Sequence, residues 1–187
     1  GTAVLWGRAL GAALADLSGC QGHGSWATPH GGLVTWAVMS EGGVQRRLAT
    51  IVAMDVVGYS ALSERNEAAA VATVAALKRV AEAAATRHGG RIFNTAGDAV
   101  MMEFPAASAG LKAALDILTE TRAGVSDLPQ IRVGVHLGEV SVAPSGDLLG
   151  HGVNVAARLE QMAAPGTVLV SGVVRDQIRE AAAVAFV

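Results

Sequence analysis

Arg46-Arg47-Leu48-Ala49-Thr50-Ile51-Val52-Ala53-Met54-Asp55-Val56-Val57-Gly58-Tyr59-Ser60 is an apolar run that ends on an aspartate and a glycine. From Leu48 to Val57 the residues are apolar and rich in β-branched side chains, which predicts a short buried strand. Asp55 falls where that strand should end. A carboxylate there packs badly but is well placed to face a cleft. Gly58 lets the following backbone turn closely, so that its amides can face phosphate oxygens. Read alone, Asp55 is first of all the cap of a turn.

Downstream of this strand the pattern is regular. Asn66 to Arg87 is alanine-rich, with Val71, Val74, Leu77 and Val80 at helical spacing, and His88-Gly89-Gly90 stops it. Arg91 to Asn94 and Ala99 to Phe104 read as strands joined by a tight turn at Thr95-Ala96-Gly97-Asp98. Pro105 opens a second helix, with Leu111, Leu115 and Leu118 on one face and Gly124 near its end. Ile131, Val133 and Val135 alternate with Arg132, Gly134 and His136, a strand with one buried face that Val140 and Val142 continue. A third helix is expected from about Gly152 to Met162, ended by Pro165-Gly166. Thr167 to Val170 is a strand, and Ser171 is placed to N-cap a last helix through Ile178. Strand, helix, strand, strand, helix, strand, strand, helix, strand, helix is an α+β order. It predicts a ferredoxin-like core with an antiparallel-rich sheet and helices packed on one face.

Upstream, the composition changes near Met39. Residues 1–38 are glycine-rich and hold Trp6, Trp26 and Trp36 without a sustained period. Ala3 to Leu17 is a candidate short helix, and Ser18 to Gly32 favours loop or disorder. Residues 1–45 are thus expected to be an irregular extension, and an artefactual one if Met39-Ser40-Glu41 is the natural start. No function is assigned to them. The catalytic unit is expected over residues 46–187.

Bulk properties narrow the function. The chain has 187 residues, 51% hydrophobic, enough for one domain with a sizeable core. A formal net charge of -2 gives no bulk attraction to nucleic acid or to anionic membrane. Cys20 is the single cysteine, so no internal disulfide forms, and no Cys/His cluster has zinc-ligand spacing. The apolar stretch Ala3 to Leu17 is too short and too charged to span a bilayer, and it lacks the layout of a secretory signal. A cytoplasmic location is expected.

Two further segments carry candidate chemistry. Gly97-Asp98 lies in a hairpin, where it reads first as turn chemistry. If the first strand lies beside that hairpin, Asp55 and Asp98 converge, and two hard oxygen ligands plus substrate phosphates suit Mg²⁺. In Gly152-Val153-Asn154-Val155-Ala156-Ala157-Arg158-Leu159, Asn154 and Arg158 are four apart and share a helix face. Arginine forks onto phosphate oxygens and asparagine holds a sugar. The plainer alternative is an amphipathic helix with a solvated side.

Taken together, these segments resemble the class III adenylate and guanylate cyclases, particularly bacterial ones. The resemblance rests on Arg46-Arg47-Leu48-Ala49 with Asp55-Val56-Val57-Gly58-Tyr59-Ser60, on His88-Gly89-Gly90-Arg91-Ile92 with Gly97-Asp98-Ala99, and on Phe104-Pro105. It continues in Val133-Gly134-Val135-His136-Leu137-Gly138-Glu139-Val140, in Gly152 to Glu160, and in Pro165-Gly166 with Val170-Ser171. It implies conversion of ATP to cyclic AMP and pyrophosphate. Asp55 and Asp98 match the metal-binding aspartates, and the carbonyl of Val56 matches a backbone ligand. Two ions, Mg²⁺ or Mn²⁺, are implied per site, one activating the ribose 3′-hydroxyl and one holding the triphosphate. Val57, Gly58 and Tyr59 match the turn that lies along the phosphates. Arg158 matches the arginine that offsets charge growing at the α-phosphate, and Asn154 the asparagine that orients the ribose. Both come from the partner subunit in this family, so a homodimer with shared sites is implied.

In the same way Asp147 matches the aspartate that reads the adenine amino group. Asn94 stands where adenylate cyclases typically carry a lysine, and it is not the glutamate typical of guanylate cyclases. The usual final hairpin and its lysine are not matched before Val187, and Lys78 and Lys112 sit on predicted helices. Adenylate cyclase is the expected activity. The alternatives are a weak or inactive cyclase-homology module that binds nucleotide or dimerises for regulation, and a guanylate cyclase. Of the remaining residues, Glu103 reads as a solvated strand residue and His136 as a plain outward strand residue, with a role in dimer contacts as the lesser alternative. His151 reads as the exposed start of a helix, and Arg46 and Arg47 as a flexible approach.

Overall fold

The computed structural model describes residues 23–27, 33–37, 45–122 and 128–178. The chain divides into two compact units, Gly1–Gly43 and Val44–Val187. In the first, β1 (His23–Ala27) pairs antiparallel with β2 (Leu33–Ala37), His23 opposite Ala37 and Ala27 opposite Leu33. This corrects the loop expected over Ser18 to Gly32. The tryptophans Trp26 and Trp36 and the β-branched Val34 and Thr35 fall inside the strands, and strand pairing overrides the glycine-rich context. The helix expected at Ala3 to Leu17 lies outside the described residues.

The second unit begins with β3 (Gln45–Val56), then α1 (Tyr59–Arg65) and α2 (Glu67–Arg87). Next come β4 (Arg91–Ala96), β5 (Ala99–Phe104) and α3 (Ala107–Arg122). It continues with β6 (Ile131–Val142), β7 (Leu148–Leu149) and α4 (His151–Met162), and ends with β8 (Thr167–Val170) and α5 (Gly172–Ile178). The sheet runs β4-β5-β3-β6-β7, and β8 joins β6 in parallel while the other pairs are antiparallel. The order β4-β5-β3-β6 is that of a ferredoxin-like βαββαβ core.

Sequence punctuation sets several helix ends. The Asn66 side chain accepts the Ala69 amide at 3.0 Å and caps α2. At the other end Gly89 takes φ 69, and the Gly90 amide returns to Ala85 O at 2.8 Å. The buried face of α2 differs from the expected one. Val71 is exposed, and Ala70, Leu77, Ala81 and Ala84 face the core, because alanines let α2 approach the small residues of α3 closely. The end of α3 near Gly124 falls outside the described residues. Ser171 does not cap α5 through its side chain. Its amide extends the strand pairing to Val135 O at 3.0 Å, and its hydroxyl is buried without a hydrogen bond.

Helices cover both faces of the sheet, not one. Every residue from Ala49 to Met54 is buried, as a strand without alternation must be when it is sandwiched. Val52, Met54 and Val56 pack with α2, α3 and α5. Ala49, Ile51 and Ala53 pack on the other side with Val153 and Ala156 of α4 and with Phe93, Val140 and Leu148. Each fully buried Ile, Leu or Met contributes about 1.5–3 kcal/mol, so both layers matter to stability. The α4 face is the one that assembles the candidate site.

Candidate active site

Asp55 is the penultimate residue of β3, on the α4 face, and Asp98 lies in the turn between β4 and β5. The hairpin brings them together. The Val56 amide donates to Asp98 Oδ2 at 3.3 Å, which ties the turn to the end of β3. Val57 is held in turn by its amide on Gln130 O at 2.9 Å. Gly58 follows at φ 76, a conformation that favours glycine, and Tyr59 opens α1 half-buried against the core. The residues expected to lie along a triphosphate thus form one continuous turn.

Two residues that sequence reasoning passed over complete the electrostatics. Arg132 on β6 stands opposite Asp55 in register. Its Nε donates to Asp55 Oδ1 at 3.0 Å, and its Nη2 pairs with Asp55 Oδ2. The Asp55 hydrogen bonds hold the guanidinium above its already high pKa. Glu160 on α4 is buried, with Oε1 3.5 Å from Arg132 Nε and without a hydrogen bond of its own. Burial, and then the neighbouring Asp55 carboxylate, push Glu160 up to about 7. The signal for Arg132 was the cation on the alternate face of an otherwise apolar strand.

The placement of α4 depends on Gly134. A Cβ there would lie 2.3 Å from Glu160 N and 2.4 Å from Ala156 O, so the helix backbone rests directly on β6. Glycine was read as part of an outward face, but it is buried under the helix. α4 presents Val153, Ala156 and Glu160 to the sheet. Asn154 and Arg158 are exposed on the far side. Arg158 and Glu160 are two residues apart, about 200° around the helix. The fold does not bring Asn154 and Arg158 to Asp55 and Asp98 of the same chain.

Asn94 is exposed on β4, in register with Met101 and through it with Ala53, the row next to Asp55. A bulge between Ile92 and Asn94 turns Phe93 into the core, where it meets Leu148. Asp147 precedes Leu148 and accepts from Ser145 Oγ at 3.0 Å. Asn94 and Asp147 each neighbour one member of that apolar contact. Glu103 is not solvated as expected. It is buried, and its carboxylate takes Arg91 Nε at 2.5 Å and Arg47 Nη2. This gives Arg47 a fixed partner. The apolar neighbours of Glu103 on β5 hide that pairing in the sequence. His136 is half-buried, not outward, with Nδ1 buried and unbonded, and burial lowers its pKa.

Among the described residues no three His, Cys, Asp or Glu side chains gather as a metal cage. Asp55, Asp98 and the Val56 carbonyl are a sparse, hard-oxygen set. That suits Mg²⁺ or Mn²⁺ bound mainly through substrate phosphates and water, and Arg132 shows that a cation is accepted at Asp55. No helix among the described residues is long and apolar enough to cross a membrane.

A family model described as the adenylate and guanylate cyclase catalytic domain matches residues 45–185. The chain is 40% identical over 146 residues to putative adenylate cyclase 3 of Rhizobium meliloti, covering 75% of this chain and 25% of that protein. It is 34% identical over 136 residues to an adenylate cyclase of Streptomyces coelicolor, covering 72% and 35% respectively. The chain therefore spans a quarter to a third of these relatives. Among solved structures, an adenylate/guanylate cyclase/hydrolase from Silicibacter pomeroyi superposes with TM-score 0.69 at 34% identity, over 76% of this chain and 86% of that one. The adenylyl cyclase CyaB from P. aeruginosa gives 0.65 at 25% identity, over 73% and 83%. With the sheet order, the paired aspartates and these matches in agreement, the chain belongs to the class III adenylate and guanylate cyclase catalytic domain family.

Proposed function

We propose that the chain converts ATP to 3′,5′-cyclic AMP and pyrophosphate at sites shared between two copies. One observation carries the reading. Asp55 and Asp98 converge on one side of the fold, while Asn154 and Arg158 face away from them on the exposed side of α4. A single chain thus holds two incomplete half-sites, and a second copy supplies the missing half of each.

Asp55, Asp98 and the Val56 carbonyl would hold Mg²⁺ or Mn²⁺. Such an ion supplies positive charge that acidifies the ribose 3′-hydroxyl and neutralises the triphosphate. The turn Val57-Gly58-Tyr59 lies along the phosphates and fixes their position. Asn154 orients the ribose so that its 3′-oxygen lies in line with the α-phosphorus and the departing pyrophosphate. Arg158 donates to the α-phosphate oxygens as charge grows on them. Asp147 accepts from the adenine amino group, and Asn94 donates to the ring nitrogen beside it. The 3′-oxygen–phosphorus bond forms as the bond to pyrophosphate breaks, and the hydroxyl proton leaves to solvent.

The second reading is a cyclase-homology module with little or no turnover, and the grip of Arg132 on Asp55 favours it, because an entering cation must displace a guanidinium. A guanylate cyclase is the third. One experiment separates them: cyclic nucleotide production from ATP and GTP, with Mn²⁺ and Mg²⁺, by the parent, Asp55→Ala, Arg158→Ala and an equal mixture of the two variants. Cyclic AMP from the parent, lost in each variant and partly restored in the mixture, supports the shared-site reading. No product from the parent sinks it in favour of the module, and cyclic GMP alone favours the third.

A further inference from the structure

We infer that Arg91 is a positioning residue for base recognition, bridging the buried Glu103 to the Gly146 carbonyl and so fixing the loop that carries Asp147. The inference rests on the proposed role of Asp147. Arg91 lies on β4, and its Nε donates to Glu103 Oε1 at 2.5 Å while its Nη2 donates to Gly146 O at 2.6 Å. Through Arg91 the two contacts link Glu103 of β5 to the β6–β7 loop, the Arg91–Gly146 bond spanning 55 residues of sequence. The loop is otherwise closed on itself. Ala143 N donates to Asp147 O at 2.9 Å, Gly146 N to Ala143 O at 2.8 Å, and Ser145 Oγ to Asp147 Oδ2 at 3.0 Å. Such internal bonds fix the shape of the turn and not its place over the sheet. Leu148, buried against Phe93, anchors one end, and Arg91 is the side chain that reaches the tip among the described residues.

Neutralising Glu103 does not by itself explain Arg91, because Arg47 Nη2 also pairs with that carboxylate. What Arg91 adds is a second donor nitrogen, since Nη2 takes the Gly146 carbonyl while Nε keeps Glu103, whereas a lysine ammonium must reach both acceptors from one nitrogen. Base discrimination depends on donor and acceptor placement, since a misplaced acceptor leaves a polar group unpaired in the complex. A loop freed at its tip weakens that discrimination before it touches the transfer step.

The test compares Arg91→Met, Arg91→Lys and Arg47→Met with the parent. The first two are expected to raise KM for ATP about tenfold, with kcat within about twofold and the ATP:GTP preference reduced several-fold, as removal of uniform binding requires. Hydrogen exchange of the 143–148 amides should quicken in both. Arg47→Met should leave the preference and the loop exchange as in the parent. A cavity of about 280 Å³ beside Arg91 and Glu103 gives water room to replace the shortened side chain, which favours folding of the variants. Parental KM and preference in Arg91→Met overturn the inference and leave the cyclase reading standing. Should the parent make no cyclic nucleotide, that reading fails, and selectivity is measured by competing ATP and GTP against a fluorescent ATP analogue. Unchanged selectivity in Arg91→Met, or no nucleotide binding by the parent, then overturns the inference also.

Discussion

Arg132 on β6 closes over the Asp55 carboxylate at the end of β3, with Nε 3.0 Å from Oδ1 and Nη2 on the other oxygen. Glu160 and Asp98 stand close by and both add to the field that holds the guanidinium. Arg132 is thus the cation that offsets three carboxylates in the metal-free protein. Arg132→Met should cost the metal-free protein about 2 kcal/mol, below the roughly 3–5 kcal/mol of a broken fully buried pair because the site is partly exposed. Saturating Mn²⁺ should raise Tm more in the variant than in the parent, since the metal then meets an unoccupied Asp55. Denaturation in EDTA and in Mn²⁺ reads both quantities, and equal Mn²⁺ shifts would refute the argument.

Gly134→Ala tests how α4 is seated. The new methyl would fall 2.3 Å from Glu160 N and 2.4 Å from Ala156 O, both backbone atoms that no rotamer change can move. The helix must lift, which unpacks Val153 and Ala156 from β3. A loss of about 3 kcal/mol is expected, the upper part of the range for overpacked cores. Urea denaturation measures it. A loss within experimental error of zero would mean that α4 does not rest on β6 as described.

Most strands and helix ends of the second unit were legible because each has a local cause, but α1 was not expected and the two strands read over Ile131 to Val142 are the single strand β6. Asn66 caps α2, the glycines after Arg87 stop it, and Gly97-Asp98 makes the hairpin turn. The family pattern likewise pointed to Asp55 and Asp98 before their convergence was visible. What stayed hidden depends on cross-strand partners. Glu103 read as solvated because nothing beside it in sequence announces Arg91 and Arg47. Gly134 read as an outward position because the helix that covers it begins 17 residues later. The two-faced sheet was written in the unbroken apolar run of β3, but element order alone suggested one face. In the first unit, glycine-rich composition masked an antiparallel strand pair between neighbouring segments.

Asn94→Lys probes base reading directly. Asn94 lies in register with Met101 and Ala53, on the face that carries Asp55. An ammonium there would make a charge-assisted hydrogen bond to the ring nitrogen, stronger than that of a neutral amide. kcat/KM for ATP should rise about tenfold while GTP use changes little. Steady-state assays with both nucleotides check it. An increase for GTP equal to that for ATP would remove Asn94 from base discrimination.

His136 should make folding sensitive to mild acid. Its ring is half-buried, Nδ1 has no hydrogen bond, and burial, followed by the charge of nearby His151, lowers its pKa below 6.5. The unfolded chain therefore takes up the proton first. Stability from the neutral ring is fully present above pH 6.5 and is lost as pH falls through the lower folded-state pKa. Glu160 works in the opposite sense. Its folded pKa of about 7 lies above the usual 4.5, so protonation favours the fold as pH falls between those values. The parent alone reads the sum of the two. The difference between His136→Gln and the parent isolates the histidine, because Glu160 is common to both. Urea denaturation in EDTA from pH 8 to 5 should show the variant gaining on the parent progressively below pH 6.5. Parallel curves would mean that the buried ring accepts its proton in the folded state as readily as in the unfolded one.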